Sequence, residues 1–457
     1  MLPDDILLNI FDFYRKNYVV NSRYCDLPRR IVWKWHILVH VCRRWRQVIF
    51  ESPRRLNLQI LCTDRTPVQK NLGIWPAFPI VVSYDWLGSN QPEGFGDAIA
   101  ALRHPDRVCY VTLMAMGSQL AKVVTVMQEP VPVLTRLNII SYKKTAVLPA
   151  QFLGGTAPCL QHILLLGVPF PALPSLLLST RDLVTLDLNS VPATGYISPE
   201  AMVEGLATLT KLETLIIRFE SATPSPKQIR PSSINRIVLP ALTYLSFEGA
   251  WEYLDDFVAQ IDSPQLDRIW VTYLNHLANV SAAQLSEFVD RSVGPKLTKF
   301  GHAHVGYYDC LFSFIMDRLP LHKYCPRPDR PFGIISFRGS DRVSDLAQLL
   351  GQFSRAEILS NVAHLNLDYL PDSVYRLDSL EGADNVTWPR LLRPFSAVQT
   401  LHVSRELAGI VAHALEDIAG QMVTKVLPSL KSICLQGQSA SSIGKFVADR
   451  GILIDSL

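Results

Sequence analysis

The sequence lacks the features that mark several common classes of protein. Its eight cysteines include no Cys-x-x-Cys pair, and no phosphate loop, nucleophile elbow or dinucleotide fingerprint occurs. The longest apolar region, residues 159–180, is interrupted by Gly167 and three prolines, so it cannot span a bilayer as a helix. The net charge is only +3, which leaves the chain without a strong field for DNA or anionic membranes.

The scattered cysteines indicate reduced thiols, because a chain of this size needs no disulfide staples. The first residues, MLPDDILLNIF, are acidic rather than basic ahead of their apolar run, which is untypical of a secretory signal. We therefore expect a cytoplasmic or nuclear protein.

The length of 457 residues exceeds the usual limit of a single core, roughly 250–300 residues. Because 48% of the residues are hydrophobic and 19% are charged, the composition is that of a packed protein rather than a disordered one. The chain should therefore form several domains or an extended repeat array.

The N-terminal stretch LPDDILLNIFDFY predicts an amphipathic helix. Pro3 needs no donor in the first turn, and the carboxylates of Asp4 and Asp5 suit the positive end of the helix dipole. Apolar residues then recur at helical spacing: Ile6, Leu7, Ile10, Phe11 and Tyr14.

A second amphipathic helix is predicted between Trp35 and Ile49, with Ser52-Pro53 as its end. Its apolar stripe contains Trp35, Leu38, Cys42, Trp45 and Ile49. On such a stripe cysteine acts as a small hydrophobic side chain rather than as a nucleophile. The arginines nearby fit a solvated helix face or a nucleic-acid site, and the near-neutral total charge favours the former.

These two blocks resemble the F-box family, and the segments SPRRLNL (residues 52–58) and PIVVSYD (residues 79–85) resemble F-box proteins of mushroom-type fungi. The similarity lies in Leu2-Pro3-Asp4-Asp5-Ile6-Leu7 with Ile10-Phe11, followed by Leu38-x-x-Val41-Cys42-Arg43-x-Trp45, although the spacing between the blocks is longer than in a compact F-box. The resemblance implies a small helical domain that docks on a Skp-type linker protein and through it on a cullin. The residues that would form or support that surface are Leu2, Pro3, Ile6, Leu7, Ile10, Leu38, Val41, Cys42 and Trp45.

The rest of the chain repeats the frame L-x-x-L-x-L at intervals of 23–36 residues. The frames begin at Val108, Leu134, Leu160, Leu183, Leu212, Leu242, Leu266, Leu297, Phe332, Val362, Val398 and Leu430. Two degenerate strands, at Leu56–Ile60 and Ile80–Val82, lead into them. The alternation within each frame predicts a short strand with one buried face.

Several intervals between frames also predict a helix. Ser198-Pro199 starts one, and apolar residues share a face in Leu254, Phe257, Val258 and Ile261. Strand, turn and helix at this period are typical of a leucine-rich repeat. The asparagine or cysteine that normally follows the frame is missing, since Val168, Val191 and Gln438 stand there.

The predicted fold class is α+β: a small all-α F-box followed by an α/β leucine-rich-repeat-like solenoid. We expect the F-box at residues 1–53, degenerate lead-in repeats at 54–107 and the solenoid at 108–457. An ordinary α/β globule is the alternative.

Alternate strand positions should face the concave surface of the solenoid. They include Arg136, Asn138, His162, Asp187, Arg218, Tyr244, Arg268, Trp270, His364, Asn366 and His402. The frames in the middle of the array supply Arg218, Tyr244, Arg268 and Trp270 as a candidate substrate-facing patch, because arginine and aromatic residues are enriched at interfaces. Trp270 can alternatively pack against a neighbouring strand.

The segment GHAHVGYYDCLFSFIMDRLPLHKYC contains the best metal-ligand candidates. They are His302, His304, Asp309, Cys310, His322 and Cys325. Structural zinc sites use close pairs of ligands, and here only His302 and His304 are close. We therefore expect no metal and no cofactor.

The leading functional expectation is a substrate-recognition adaptor of an SCF-type ubiquitin ligase. It would have no catalytic residue of its own, would bind no nucleic acid or membrane, and would hold an unknown protein substrate near the ubiquitin-charged enzyme. A binding scaffold of the same fold that never joins a ligase is the alternative. A metal-dependent enzyme built around His302 and Cys325 is a third possibility.

Overall fold

A computed structural model gives the fold of most of the chain. It describes residues 2–16, 35–53, 56, 58–63, 72–73, 75–85, 93–114, 116–141, 146–222, 236–274, 282–292, 301–308, 311–317, 335–338, 343–353, 357–369, 387–420, 426–435 and 451–456. The chain divides into two units, Met1–Tyr196 and Ile197–Leu457, and each is described by itself.

Three helices begin the first unit: α1 (Asp4–Lys16), α2 (Trp35–Val39) and α3 (Arg43–Glu51). Helix α1 begins where the sequence predicts, because the Pro3 carbonyl accepts the N–H groups of Ile6 and Leu7. Phe11 is buried and meets the Trp45 ring edge-on, with 4.9 Å between centroids.

The single helix predicted between Trp35 and Ile49 is wrong, because the chain turns at residues 40–42. Cys42 has an extended backbone and its Sγ accepts the Trp45 N–H at 3.4 Å, so it caps α3 instead of lying on an apolar stripe. The guanidinium of Arg46 donates to the Val39 carbonyl at the end of α2, at 3.0 Å. These two side-chain contacts satisfy backbone groups that a continuous helix would have paired internally.

The sheet of the first unit is entirely parallel, in sequence order. Its strands are β1 (Ile60–Thr63), β2 (Ile80–Asp85), β3 (Val108–Met114), β4 (Arg136–Ile140), β5 (His162–Leu166) and β6 (Thr185–Val191). The first lead-in strand begins at Ile60 rather than Leu56. Turn bonds from the N–H groups of Leu56 and Leu58 to the carbonyls of Ser52 and Pro53 precede it.

Short helices connect these strands. They are α4 (Glu93–Leu102), α5 (Gly117–Val126), a 3₁₀ helix (Phe152–Gly155), α6 (Leu173–Leu177) and a 3₁₀ helix (Ala193–Gly195). Gly167 follows β5 with φ 65°, and an added Cβ would lie 2.2 Å from the Ser141 carbonyl oxygen, so only glycine fits this turn.

The leucine frames fix the register of the strands, as the sequence predicts. Leu134, Leu160, Leu183, Leu212 and Leu242 are fully buried, and each strand begins two residues after its frame leucine. Within the strands, buried side chains alternate with half-buried ones. The mixed α/β architecture with a largely parallel sheet is therefore confirmed.

Ten strands within the described residues of the second unit belong to the main sheet. They are β7 (Thr214–Phe219), β9 (Tyr244–Gly249), β11 (Arg268–Tyr273), β12 (His302–Tyr308), β13 (Leu311–Asp317), β14 (Ile335–Arg338), β15 (His364–Tyr369), β16 (Thr400–Val403), β17 (Ser432–Leu435) and β18 (Leu453–Ser456). Two more strands, β8 (Ile237–Val238) and β10 (Ile261–Asp262), form a separate parallel pair.

The expected succession of repeats is wrong between residues 302 and 338. The spatial order there is β11-β14-β13-β12-β15, with β13 antiparallel to both neighbours. Strand β12 begins at His302, the last residue of the frame that starts at Leu297. Only residues 309 and 310 connect β12 to β13, whereas a parallel crossover needs a dozen or more residues.

The second unit also contains seven helices among its described residues. They are α7 (Pro199–Leu206), α8 (Trp251–Val258), α9 (Ala283–Ser292), α10 (Val343–Gln352), α11 (Glu357–Ser360), α12 (Thr387–Leu392) and α13 (Arg405–Gly420). The predicted start at Ser198 is confirmed, since its Oγ accepts the Ala201 N–H at 3.2 Å. Leu254, Phe257, Val258 and Ile261 are all buried, as their shared face predicts. None of the helices in the described parts of the chain is long and apolar enough to cross a membrane.

Candidate protein-binding surfaces

The outer face of α1 exposes large apolar side chains to solvent. Ile6 and Ile10 are each 43% exposed and Phe13 is 71% exposed, and all three lie on one face at spacings of four and three residues. Leu2, Ile37 and Val41 are exposed as well. We call Leu2, Ile6, Ile10, Phe13, Ile37 and Val41 the N-terminal apolar set.

The predicted docking set contains both exposed and buried residues. Leu2, Pro3, Ile6, Ile10, Val41 and Cys42 are exposed, Trp45 is half-buried, and Leu7 and Leu38 are buried. Leu7 and Leu38 can therefore support a surface but do not form one. The sequence pattern did not single out Phe13 or Ile37 as docking residues. Phe13 nevertheless lies three residues after Ile10, which lies four residues after Ile6, so it shares their helix face.

Two arginines near these helices bind within the chain. The guanidinium of Arg44 donates to the Asp4 carboxylate at 2.7 Å and to the Leu2 carbonyl, which fixes the start of α1 against α3. Arg46 is bonded to Val39, as described above. Arg44 and Arg46 therefore make structural contacts within the N-terminal helices.

The second candidate surface is formed by the strand positions that alternate with the fully buried core residues. On β7, β9 and β11, three cross-strand rows place nine residues side by side. The rows are Thr214–Tyr244–Arg268, Ile216–Ser246–Trp270 and Arg218–Glu248–Thr272. We call these residues the nine-residue surface.

The predicted patch of Arg218, Tyr244, Arg268 and Trp270 lies within the nine-residue surface. Each of the four is half-buried or exposed, so none of them, Trp270 included, is a core residue, and their contact with a substrate stays a prediction. The sequence did not single out the other five residues, which are Thr214, Ile216, Ser246, Glu248 and Thr272. They stand two, four or six residues after the first leucine of their frames, so the same two-residue alternation contains them.

The other predicted outward positions also alternate with buried residues. Arg136, Asn138, His162, Asp187, His364, Asn366 and His402 are half-buried. The Asn138 side-chain amide donates to Thr112 Oγ1 at 3.2 Å, and the Asn189 amide donates to the Asp187 carboxylate.

The histidine segment forms pairwise contacts across β12 and β15. The rings of His302 and His364 stack with centroids 4.6 Å apart, and His304 Nε2 lies 2.6 Å from the Asp368 carboxylate. Among the described residues, no group of three or more histidine, cysteine, aspartate or glutamate side chains is arranged to hold a metal ion. Asp309, Cys310, His322 and Cys325 lie outside the described residues.

Comparisons with known proteins identify no family for the chain. No family model matches it, and no curated protein matches it significantly. Among solved structures, it is similar to the leucine-rich repeat-containing protein LegL7 from Legionella pneumophila, with 12% identity over 86% of this chain and 98% of that one. The TM-score of that match is 0.28, which is too low to establish a common fold.

Proposed function

We propose that the chain is the substrate-recognition subunit of an SCF-type ubiquitin ligase. The N-terminal apolar set would dock on a Skp-type linker protein, which connects to a cullin, and the strands would hold the protein to be ubiquitinated. The observation that carries the proposal is the exposed apolar face of α1, which begins at the F-box-like residues Leu2 and Pro3.

The physical support is that the exposed apolar side chains of α1 are neighbours on one face of the helix rather than isolated from each other. Single apolar residues on a surface are ordinary, whereas a contiguous set marks an interaction site. Arg44 and Phe11 fix α1 against α3, so the face is presented on an ordered support.

In this proposal the chain supplies no catalytic group. Its contribution to the reaction is proximity, because it holds the substrate close to the ubiquitin-charged enzyme. A leucine-rich-repeat-like scaffold outside any ligase remains the second candidate, and failure of linker protein and cullin to co-purify with the wild-type chain would favour it.

The first test changes Ile6 and Ile10 together to Ala. Truncating central anchors of an interface costs about 2–4 kcal/mol of binding, so capture of the linker protein should be lost in a pull-down. Thermal unfolding should barely change, because both side chains are exposed. Leu7 is unsuitable for this test, since it is 3% exposed and its loss would disturb the helix packing.

The matched control changes two exposed apolar residues elsewhere, Leu178 and Val238, to Ala. That variant should capture the linker protein as the wild-type chain does. Undiminished capture by the Ile6–Ile10 variant would refute the docking surface.

A further inference from the structure

The nine-residue surface has one unpaired cation at a fixed position. Arg268 is exposed, and its guanidinium carbon lies 5.3 Å from the centroid of the Tyr244 ring. Among the described residues, no hydrogen bond or ion pair involves this guanidinium. Stacking on the ring restricts the side chain while its N–H edge stays available, which suits charge-assisted recognition of a carboxylate.

Trp270 offers an apolar surface two residues further along the same strand. Its indole Nε1 donates to Thr272 Oγ1 at 3.1 Å, so its polar group is already satisfied. Its row neighbour Ser246 is fully buried and accepts the Arg218 guanidinium at 3.2 Å. The polar groups at and beside the half-buried Trp270 ring are therefore already hydrogen-bonded. The part of the ring that a partner can contact is apolar.

The charges of the surface are distributed unevenly among its rows. In the third row, Arg218 and Glu248 occupy paired register positions on neighbouring strands. The first row contains Arg268 with Thr214 and Tyr244 and has no acid. An anionic group is therefore favoured at the first row and an apolar group at the second.

We propose that this surface binds an extended acidic segment of a protein partner, with a carboxylate on Arg268 and an apolar side chain on Trp270. Residues i and i+2 of an extended chain point the same way and are separated by about 6.6 Å. Arg268 and Trp270 are themselves i and i+2 on β11, so the spacing matches an acid-x-apolar sequence laid along that strand. A nucleic acid would require several unpaired cations, and this surface provides one.

This proposal rests on the proposed function and specifies which class of substrate the same face of the sheet binds. Its test uses the full chain without linker protein or cullin. A failure here therefore leaves the docking of α1 untouched, and the reverse also holds.

The experiment measures binding of four degenerate eleven-residue peptide libraries by fluorescence polarisation. Each library fixes two central positions that flank one variable residue: Glu-x-Leu, Gln-x-Leu, Lys-x-Leu or Glu-x-Ser. The Glu-x-Leu library should bind about tenfold more tightly than the Gln-x-Leu library, because an ion pair between guanidinium and carboxylate replaces a hydrogen bond from the guanidinium to a neutral amide. The Lys-x-Leu library should bind most weakly, and the Glu-x-Ser library should lose the contact with the indole.

Variants assign each preference to its residue. R268Q should abolish the preference for Glu over Gln, and R268E should favour the Lys-x-Leu library. W270A should abolish the preference for Leu over Ser. R393Q, which changes an exposed arginine outside the surface, should behave as the wild-type chain does.

Three outcomes would overturn the proposal. They are equal binding of the Glu-x-Leu and Lys-x-Leu libraries, a preference for Glu that survives R268Q, and the absence of any peptide binding. Since Arg268 is exposed, R268Q should unfold at the wild-type temperature, which keeps the test valid even if W270A is poorly folded.

Discussion

Burial makes the cysteine thiols of this chain unequal. Desolvation raises the pKa of Cys109 to about 11, and it raises the pKa of Cys62 further, with a smaller contribution from the charge of Asp97. Cys42 and Cys159 are exposed. A raised pKa leaves less thiolate, the reactive form, at a given pH.

We expect iodoacetamide at pH 8 to alkylate Cys42 and Cys159 much faster than Cys62 and Cys109 in the folded protein. Site-resolved mass spectrometry measures the four rates. In denaturant the difference should vanish, which provides the control. Rapid labelling of Cys62 without denaturant would contradict the buried position of that thiol.

At the residue scale, the sequence predicted side-chain direction well in the strands and poorly in the helices. Trp270 and Arg268 could be placed on the outer face because a strand has a strict two-residue alternation and the frame leucines fix its phase. Leu7 and Ile6 could not be separated, since both belong to one broad apolar stripe. Which of the two is buried depends on how α1 packs against α3, and the contact between Phe11 and Trp45 sets that packing.

At the element scale, a buried carboxylate joins two successive helices. Asp255 of α8 is 3% exposed, and its Oδ1 accepts the backbone N–H groups of Gln284 and Leu285 at 3.0 and 3.1 Å. It thus caps the first turn of α9 from the neighbouring helix rather than from within α9. The negative charge is also favourable at the positive end of the helix dipole.

We expect D255A to lower the free energy of unfolding by about 1–3 kcal/mol, because two backbone donors lose their acceptor. D255N should cost less, since its amide oxygen can still accept. The exposed Glu204 of α7 provides the control, and E204A should change stability by about 0.5 kcal/mol or less. Chemical denaturation measures all three, and equal effects of D255A and E204A would refute the cap.

The elements that the sequence missed depend on contacts that a local pattern does not contain. The turn at residues 40–42 is stabilised by Cys42 Sγ and the Arg46 guanidinium, and neither is a usual capping group. The antiparallel strand β13 is as apolar as its neighbours, so its direction could only be inferred from the short connection at residues 309 and 310.

At the scale of the whole molecule, the repeated frame was the most informative feature of the sequence. It placed most of the strands and indicated a parallel sheet, because buried leucines recur with helices between them. It did not reveal the inverted order of β12, β13 and β14, since a frame reports which residues are buried and not which strand lies beside which.

The distribution of stability along the chain should reflect this organisation. Helix α1 keeps Ile6, Ile10 and Phe13 exposed, whereas strands β7, β9 and β11 alternate buried residues within a hydrogen-bonded ladder. Local opening is easiest where few apolar contacts are buried. Amide hydrogens of residues 4–16 should therefore exchange with deuterium faster than those of residues 214–219.

Addition of a Skp-type linker protein should slow exchange at residues 4–16 and leave residues 214–219 unchanged, because a ligand that binds only the folded form suppresses its opening. The Ile6→Ala, Ile10→Ala double variant should show no such slowing, which separates docking from a general stabilisation. Mass spectrometry of deuterium uptake measures both segments in one experiment. Slowing in the strands but not in α1 would move the docking surface from the N-terminal apolar set to the sheet.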